Sequence, residues 1–268
     1  MTSQEKLNKK LEQNFHICVG LDTDLEKIPK YFLSEKEPIV AFNKSVIENT
    51  AASAAAYKIN FAFYEKYGAK GFDLIAHTLE FIPDDILTIA DAKRGDIGNT
   101  SEMYAKAVFE ELHFDSITLH PYMGFDSLQP FLNYKEKIHF ILALTSNKGA
   151  LDFENQLLSD GKFLYQRVID KVNEWNTENN CGIVFGATKI EDLKQNIQSF
   201  KNLYILLPGV GAQGGSLEEV TRLFLANKNK NYLVNASRAL LYCDGSINFP
   251  KSLRTQMDTY NNSIFQNK

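Results

Sequence analysis

Asp91 and Lys93 stand two residues apart at the end of the apolar run Leu87-Thr88-Ile89-Ala90. In an extended strand that spacing points both side chains to one face, so a carboxylate and an ammonium lie side by side. Fixing such a pair costs desolvation and side-chain entropy that a solvated pair avoids, and solubility alone gives little reason to build one. The run continues through Arg94-Gly95-Asp96-Ile97-Gly98-Asn99-Thr100, crowded with charge. Taken alone, Asp22 or Lys58 is an ordinary strand-end charge, Lys93-Arg94 a solvated pair, and Gly209 to Gly215 a tight turn. Their conjunction is what points to a site.

The elements that must position these residues alternate along the chain. Short apolar or β-branched runs predict eight strands, at 16–21, 55–60, 87–91, 116–120, 139–145, 182–186, 203–207 and 232–235. Between them, helical patterns cover 40–53, 101–112, 163–176, 190–200 and 216–226, with Asn99 and Glu102 expected as N-cap and N3 of the helix behind the charged run. Strict alternation implies a parallel sheet, and eight repeats match an α/β (β/α)8 TIM barrel better than an open doubly wound sheet. No linker or repeat divides the chain, so residues 1–268 are expected to form a single domain with a short N-terminal helix and a polar C-terminal tail. Leu7, Leu11 and Phe15 give that N-terminal helix its apolar stripe. The longest connection, Ser146 to Gly161, is expected as a mobile lid.

In such a barrel, chemistry gathers at the C-terminal strand ends. Asp22, Lys58, Asp91, Lys93, Thr145 and Ser146 all fall there, as do Pro208 to Gly215 and Asn235-Ala236-Ser237-Arg238. Glycine-rich backbone exposing N–H groups, followed by a helix start and an arginine, suits a phosphate, so the expected substrate is phosphorylated.

Other classes are disfavoured. Lys and Arg number 29 against 33 Asp and Glu, a net charge of -4 without a polybasic run, which argues against nucleic acid or an anionic membrane as main partner. Cys18, Cys181 and Cys243 are far apart and read as reduced thiols, and no metal is expected, because His16, His77, His113, His120 and His139 lack ligand spacing. His120, before Pro121, reads as a packed corner residue. The polar, lysine-rich stretch from Met1 to Asn14 lacks a signal-peptide core, and no apolar run approaches the roughly 20 residues a membrane span needs. A cytoplasmic protein is expected.

The run Asp91-Ala92-Lys93-Arg94-Gly95-Asp96-Ile97-Gly98-Asn99-Thr100 resembles the signature of the orotidine 5'-phosphate decarboxylases, in their bacterial longer-chain subgroup. Val19-Gly20-Leu21-Asp22, Tyr57-Lys58-Ile59-Asn60, His120-Pro121-Tyr122-Met123-Gly124, Thr145-Ser146-Asn147, Pro208 to Gly215 and Ser237-Arg238 resemble that family too, in the same order. Lys148 departs from it, standing where proline would follow Asn147.

The resemblance implies decarboxylation of orotidine 5'-monophosphate (OMP) to uridine 5'-monophosphate (UMP), the last step of de novo pyrimidine synthesis, with no metal or organic cofactor, in a homodimer. It implies an array of Lys58, Asp91 and Lys93 completed by Asp96, which together with Thr100 reaches the partner subunit's site. Asp22 and Lys58 would contact the ribose and Ser146 the pyrimidine. Gln213 and Arg238 would hold the phosphate, with Gly209, Gly211 and Gly214 in the phosphate loop.

Loss of CO2 from C6 leaves a carbanion that the ring cannot delocalise, and the barrier reduction required is roughly 20 kcal/mol or more. Repulsion between Asp91 and a substrate carboxylate at about 4 Å supplies only about 4 kcal/mol at an effective dielectric near 20. Lys93, stabilising charge as it develops and then protonating C6, is the stronger candidate. Three rivals stand beside this reading: a metal-dependent sugar-acid phosphate decarboxylase sharing the Asp-x-Lys motif, a Schiff-base phosphosugar aldolase using Lys58 or Lys93, and a barrel that binds phosphorylated metabolites without turnover.

Overall fold

Strands buried on both faces read as unbroken apolar runs, and this chain carries eight of them separated by longer amphipathic stretches. The computed structural model describes residues 1–186, 190–209 and 216–265. Its strands are β1 (Ile17–Gly20), β2 (Ala56–Asn60), β3 (Leu87–Arg94), β4 (Ser116–Leu119), β5 (Ile138–Leu144), β6 (Cys181–Phe185), β7 (Tyr204–Leu207) and β8 (Tyr232–Ala236). All pair in parallel with their sequence neighbours, and β8 returns to β1, closing the predicted TIM barrel. Seven strands lie within two residues of the expected bounds. β3 is the exception, running three residues past Asp91 to Arg94.

Helices wrap the sheet: α1 (Ser3–Glu12), α2 (Pro38–Thr50), α3 (Ala62–Glu65), α4 (Ala69–Leu79), α5 (Gly98–Lys106), α6 (Phe125–Leu132), α7 (Leu164–Trp175), α8 (Ile190–Asn196), α9 (Leu217–Ala226), α10 (Arg238–Leu241) and α11 (Phe249–Phe265). The expected polar tail is α11. Phe249, Leu253, Met257, Asn261 and Ile264 form its buried stripe, about one residue per turn, too narrow to stand out in a polar segment. The expected cap at Asn99 is also corrected. The helix begins at Gly98 behind an extended Ile97, and Glu102 pairs instead with Lys106 at 2.7 Å. The turn before α5 is held by other groups: Ile97 N–H donates to the Asp96 carboxylate at 2.7 Å, and Ser101 Oγ donates to the Asp96 carbonyl at 2.7 Å.

α1 seals the N-terminal end of the barrel. Leu7 and Leu11 pack onto a buried layer that includes Cys18, Ala56, Ile89, Phe140 and Leu206. Polar groups fix its position: Lys6 Nζ bonds both Asp115 carboxylate oxygens at 2.9 and 3.0 Å, and Asp115 also accepts the Thr88 amide at 3.0 Å. Asp115 is only 6% exposed. Removing one member of a buried pair strands the other, so Asp115→Ala is expected to cost about 3 kcal/mol, read as a lowered urea midpoint. An unchanged midpoint would mean that α1 is held by its apolar face alone.

Candidate active site

The strand register decides which charges meet. β1 aligns Gly20 with Lys58 of β2, and β2 aligns Asn60 with Asp91 of β3. Leu21 N–H donates to the Lys58 carbonyl at 2.8 Å and Phe61 N–H to the Asp91 carbonyl at 3.2 Å, extending the ladder to the strand ends. Side chains there converge: Lys58 Nζ lies 3.2 Å from Asp22 Oδ1 and 2.9 Å from Asp91 Oδ2, and Lys93 Nζ lies 2.7 Å from Asp91 Oδ1. Two anions and two cations alternate and sum to zero, which is how a barrel tolerates four charges in one place. Lys58 is 4% exposed, whereas the Lys93 side chain is 49% exposed and reaches the solvent side of the array.

Burial pulls the Lys58 ammonium down, but Asp22 and Asp91 outweigh it and hold that group above its ordinary range. Burial likewise pushes the Asp91 carboxyl up, and the charges of Lys58 and Lys93 outweigh it and hold Asp91 below the usual carboxylate range. Cys18 lies behind Lys58, and burial pushes its thiol up to about 12. The other two cysteines are free as well.

Asp91 and Lys93 share a face, but not through the simple alternation expected. Ala90 pairs with Ile117 and Arg94 with Leu119, so β3 spends four steps where β4 spends two. Within this bulge Lys93 takes φ 48°, the left-handed region that a non-glycine residue occupies at a cost of about 1 kcal/mol or more. Arg94 anchors the far side. Its guanidinium pairs with Glu65 and donates to the Ala92 carbonyl at 2.8 Å, and its own carbonyl accepts the His120 amide at 3.0 Å. His120 is the packed corner anticipated. Its ring Nε2 lies 3.1 Å from the Gly95 carbonyl, and a Cβ on Gly95 would come within 2.9 Å of that nitrogen, which is why no larger residue fits there.

Asp22, Lys58, Asp91, Gly209 and Arg238 line one cavity of about 210 Å³ at this end of the barrel. Ser146 lines a separate cavity of about 200 Å³ with Thr145, Asn147 and Lys148. Asp96 turns its carboxylate onto the Ile97 amide, and Thr100 is exposed on α5, so neither joins the array within its own chain. Gly211, Gln213 and Gly214 lie outside the described residues. The segment expected as a lid carries local structure: a 3-10 turn at Lys148–Leu151, a bridge from Leu157 to Phe163, and the Glu154 carboxylate accepting the Thr145 amide at 2.7 Å.

One residue, Thr118, escaped the sequence reading, and two of the expected strand-eight run gain a specific role. Among the described residues, Asn235 Oδ1 and Ser237 Oγ are buried without a hydrogen-bond partner, and both residues line the cavity with Arg238, where the amide oxygen can accept from a ligand hydroxyl and the serine hydroxyl can donate to a phosphate oxygen. Thr118 bonds the array directly, its hydroxyl donating to Asp91 Oδ1 at 3.0 Å. Its hydroxyl, one of two in the short strand Ser116–Leu119, was the available signal. Among the described residues, no group of three or more His, Cys, Asp or Glu is placed to hold a metal ion.

The chain matches the model of the "Orotidine 5'-phosphate decarboxylase / HUMPS family" over residues 16–244. It is 48% identical to the orotidine 5'-phosphate decarboxylase of Christiangramia forsetii over 267 residues, covering 98% of this chain and 97% of the relative. Its identity to the enzyme of that name from Phocaeicola vulgatus is 46% over 255 residues, covering 93% and 92% of the two chains. Among solved structures, the Leishmania donovani OMP decarboxylase superposes with a TM-score of 0.83 at 33% identity, covering 99% of this chain and all of that one, 100%.

Proposed function

The chain belongs to the orotidine 5'-phosphate decarboxylase / HUMPS family and decarboxylates OMP to UMP and CO2, and from that premise we propose that Lys93 is the group that protonates C6. The observation that carries the assignment is the unbroken sequence of contacts Asp22, Lys58, Asp91, Lys93 at 3.2, 2.9 and 2.7 Å across three adjacent strand ends.

Each member has a distinct task. Asp91, held ionised by two lysines, faces the substrate carboxylate and orients Lys93. Lys58, buried between two carboxylates, fixes Asp91 and bonds the ribose hydroxyls along with Asp22. Lys93 is the mobile, partly solvated cation; its attraction to C6 grows as CO2 departs, which is the condition for an interaction to accelerate the reaction. Arg238 and the Gly209 turn, together with Gly211, Gln213 and Gly214 of the same sequence run, grip the phosphate, and Ser146 bonds the pyrimidine. Phosphate binding far from C6 can then be spent on aligning the array.

The aldolase reading needs a neutral lysine, and Lys58 is held the other way by its carboxylates. The sugar-acid phosphate decarboxylase is less favoured, since relatives at 48% and 46% identity bear the OMP decarboxylase name. The test is loss of OMP absorbance with and without chelator. Undiminished turnover in chelator is expected, and loss of activity there would favour the metal-dependent rival.

The reading includes a homodimer in which Asp96 and Thr100 complete the partner's site. Two features support it: within its own chain Asp96 is directed to Ile97 rather than to Lys93, and Ile97, Met103 and Tyr104 beside it are 62%, 47% and 38% exposed, an apolar face on a charged segment. Mixing inactive Lys93→Ala and Asp96→Ala chains is expected to restore roughly a quarter of wild-type activity, since half the dimers are mixed and each holds one intact site. No recovery would confine the site to one subunit. The proposal places the protein in the cytoplasm, in keeping with its free cysteines; no helix among the described residues is long and apolar enough to cross a membrane.

A further inference from the structure

We propose that Thr118 is a positioning residue for the decarboxylation, its one hydroxyl joining the Asp91 carboxylate and the Lys93 backbone into a single unit that aims the Lys93 ammonium. The inference rests on the reading of Lys93 as proton donor.

The bulge in β3 creates the need. Between the pairs Ala90 with Ile117 and Arg94 with Leu119, the longer strand has residues whose N–H groups lack a carbonyl opposite. Lys93 N–H is met instead by Thr118 Oγ1 at 3.0 Å. A hydroxyl accepts and donates at once, and Thr118 directs its proton to Asp91 Oδ1 at 3.0 Å. That same carboxylate oxygen receives Lys93 Nζ at 2.7 Å. The result is a closed loop of contacts from the Lys93 amide through Thr118 and Asp91 back to the Lys93 ammonium.

Three features make the loop stiff. Thr118 is 1% exposed, so water is poorly placed to replace its hydroxyl. As a β-branched residue in a strand it has restricted χ1, which fixes the direction of Oγ1. Lys93 sits at φ 48°, a conformation that persists only where its surroundings over-determine it. The long lysine side chain is half exposed, and among the described residues its ammonium is paired with Asp91 alone. Its reach toward C6 is therefore set at its two ends, the backbone amide and the ammonium, and Thr118 governs both. Thr118 is not among the residues lining the cavity with Arg238, so it can act on the chemical step without acting on phosphate binding.

The experiment compares Thr118→Val, which keeps the shape and removes the hydroxyl, with Thr118→Ser, which keeps the hydroxyl. It measures kcat and KM for OMP and the dissociation constant of UMP, with Lys93→Ala alongside. Misalignment of a reacting group costs on the order of 100-fold, so the valine variant is expected to lose about 30- to 100-fold in kcat while KM and UMP affinity stay within about 3-fold. Serine is expected to recover most of that loss.

A valine variant with wild-type kcat, or a serine variant no better than valine, overturns the inference. So does a loss of UMP affinity equal to the loss of kcat, because that would mark a general disturbance of the site. Failure of the underlying reading looks different: Lys93→Ala would then turn over OMP as the wild type does.

Discussion

Replacing Lys93 with alanine is expected to lower turnover of OMP by about 10⁴-fold or more while UMP affinity changes little. Two losses combine in that figure. A positioned acid contributes about 10²- to 10⁴-fold, and an electrostatic partner that strengthens in the transition state contributes a further 10²- to 10³-fold. Against a required reduction of roughly 20 kcal/mol, this removes a large share but not all, because the proposed phosphate and ribose contacts would remain to align the substrate. UMP lacks the departing carboxylate, and Asp91 stays paired with Lys58 at 2.9 Å in the variant, so product binding has no reason to collapse. The measurement pairs OMP absorbance loss with calorimetric titration by UMP. Full activity in the alanine variant would remove Lys93 from the mechanism.

The second large effect belongs to Asp91. Asp91→Asn is expected to abolish most turnover and also to destabilise the fold by about 3 kcal/mol, since Lys58, almost wholly buried, keeps only Asp22 at 3.2 Å. Adding Lys58→Met should restore stability by removing the stranded cation, yet leave the protein inactive. Such a split between recovered stability and absent activity separates the structural role of the pair from its chemical one. Recovery of both would mean that the array is merely scaffold.

The acid limb of stability should change in the same variant. A carboxyl held below its unfolded value of about 3.9 stabilises the fold above that pH, and the stabilisation is lost as pH falls through the lower folded value. The wild type therefore loses this contribution only below about pH 4, and the asparagine variant should show a flatter stability curve there. Urea midpoints across that interval provide the check.

The barrel was legible in the sequence because parallel strands buried on both faces leave short apolar runs, and all eight were visible as such. Asp22, Lys58 and Asp91 could be placed together because strand ends in a closed barrel converge on one mouth. The bulge could not be read. Asp91-Ala92-Lys93 looks like plain alternation, and only the pairing with β4 shows that two additional residues are taken up there. Thr118 escaped for the same reason, since its role depends on a ladder partner being absent. α11 hid behind a polar majority, with about one buried residue per turn. Capping chemistry misled at Asn99, where Ser101 and the Asp96 carboxylate satisfy the turn before the helix begins.

The seal made by α1 has a consequence for traffic. Leu7 and Leu11 close one end, and the layer beneath Lys58, including Cys18, Ala56, Ile89 and Phe140, is fully buried, so the barrel is a vessel with one opening rather than a tunnel. Nucleotide must enter and both products must leave by the same mouth. With the phosphate gripped as proposed, CO2, small and uncharged, can slip out past the bound nucleotide, whereas UMP departs only once that grip is released. A plugged floor and the proposed phosphate grip together favour one order of exit, gas first and nucleotide last.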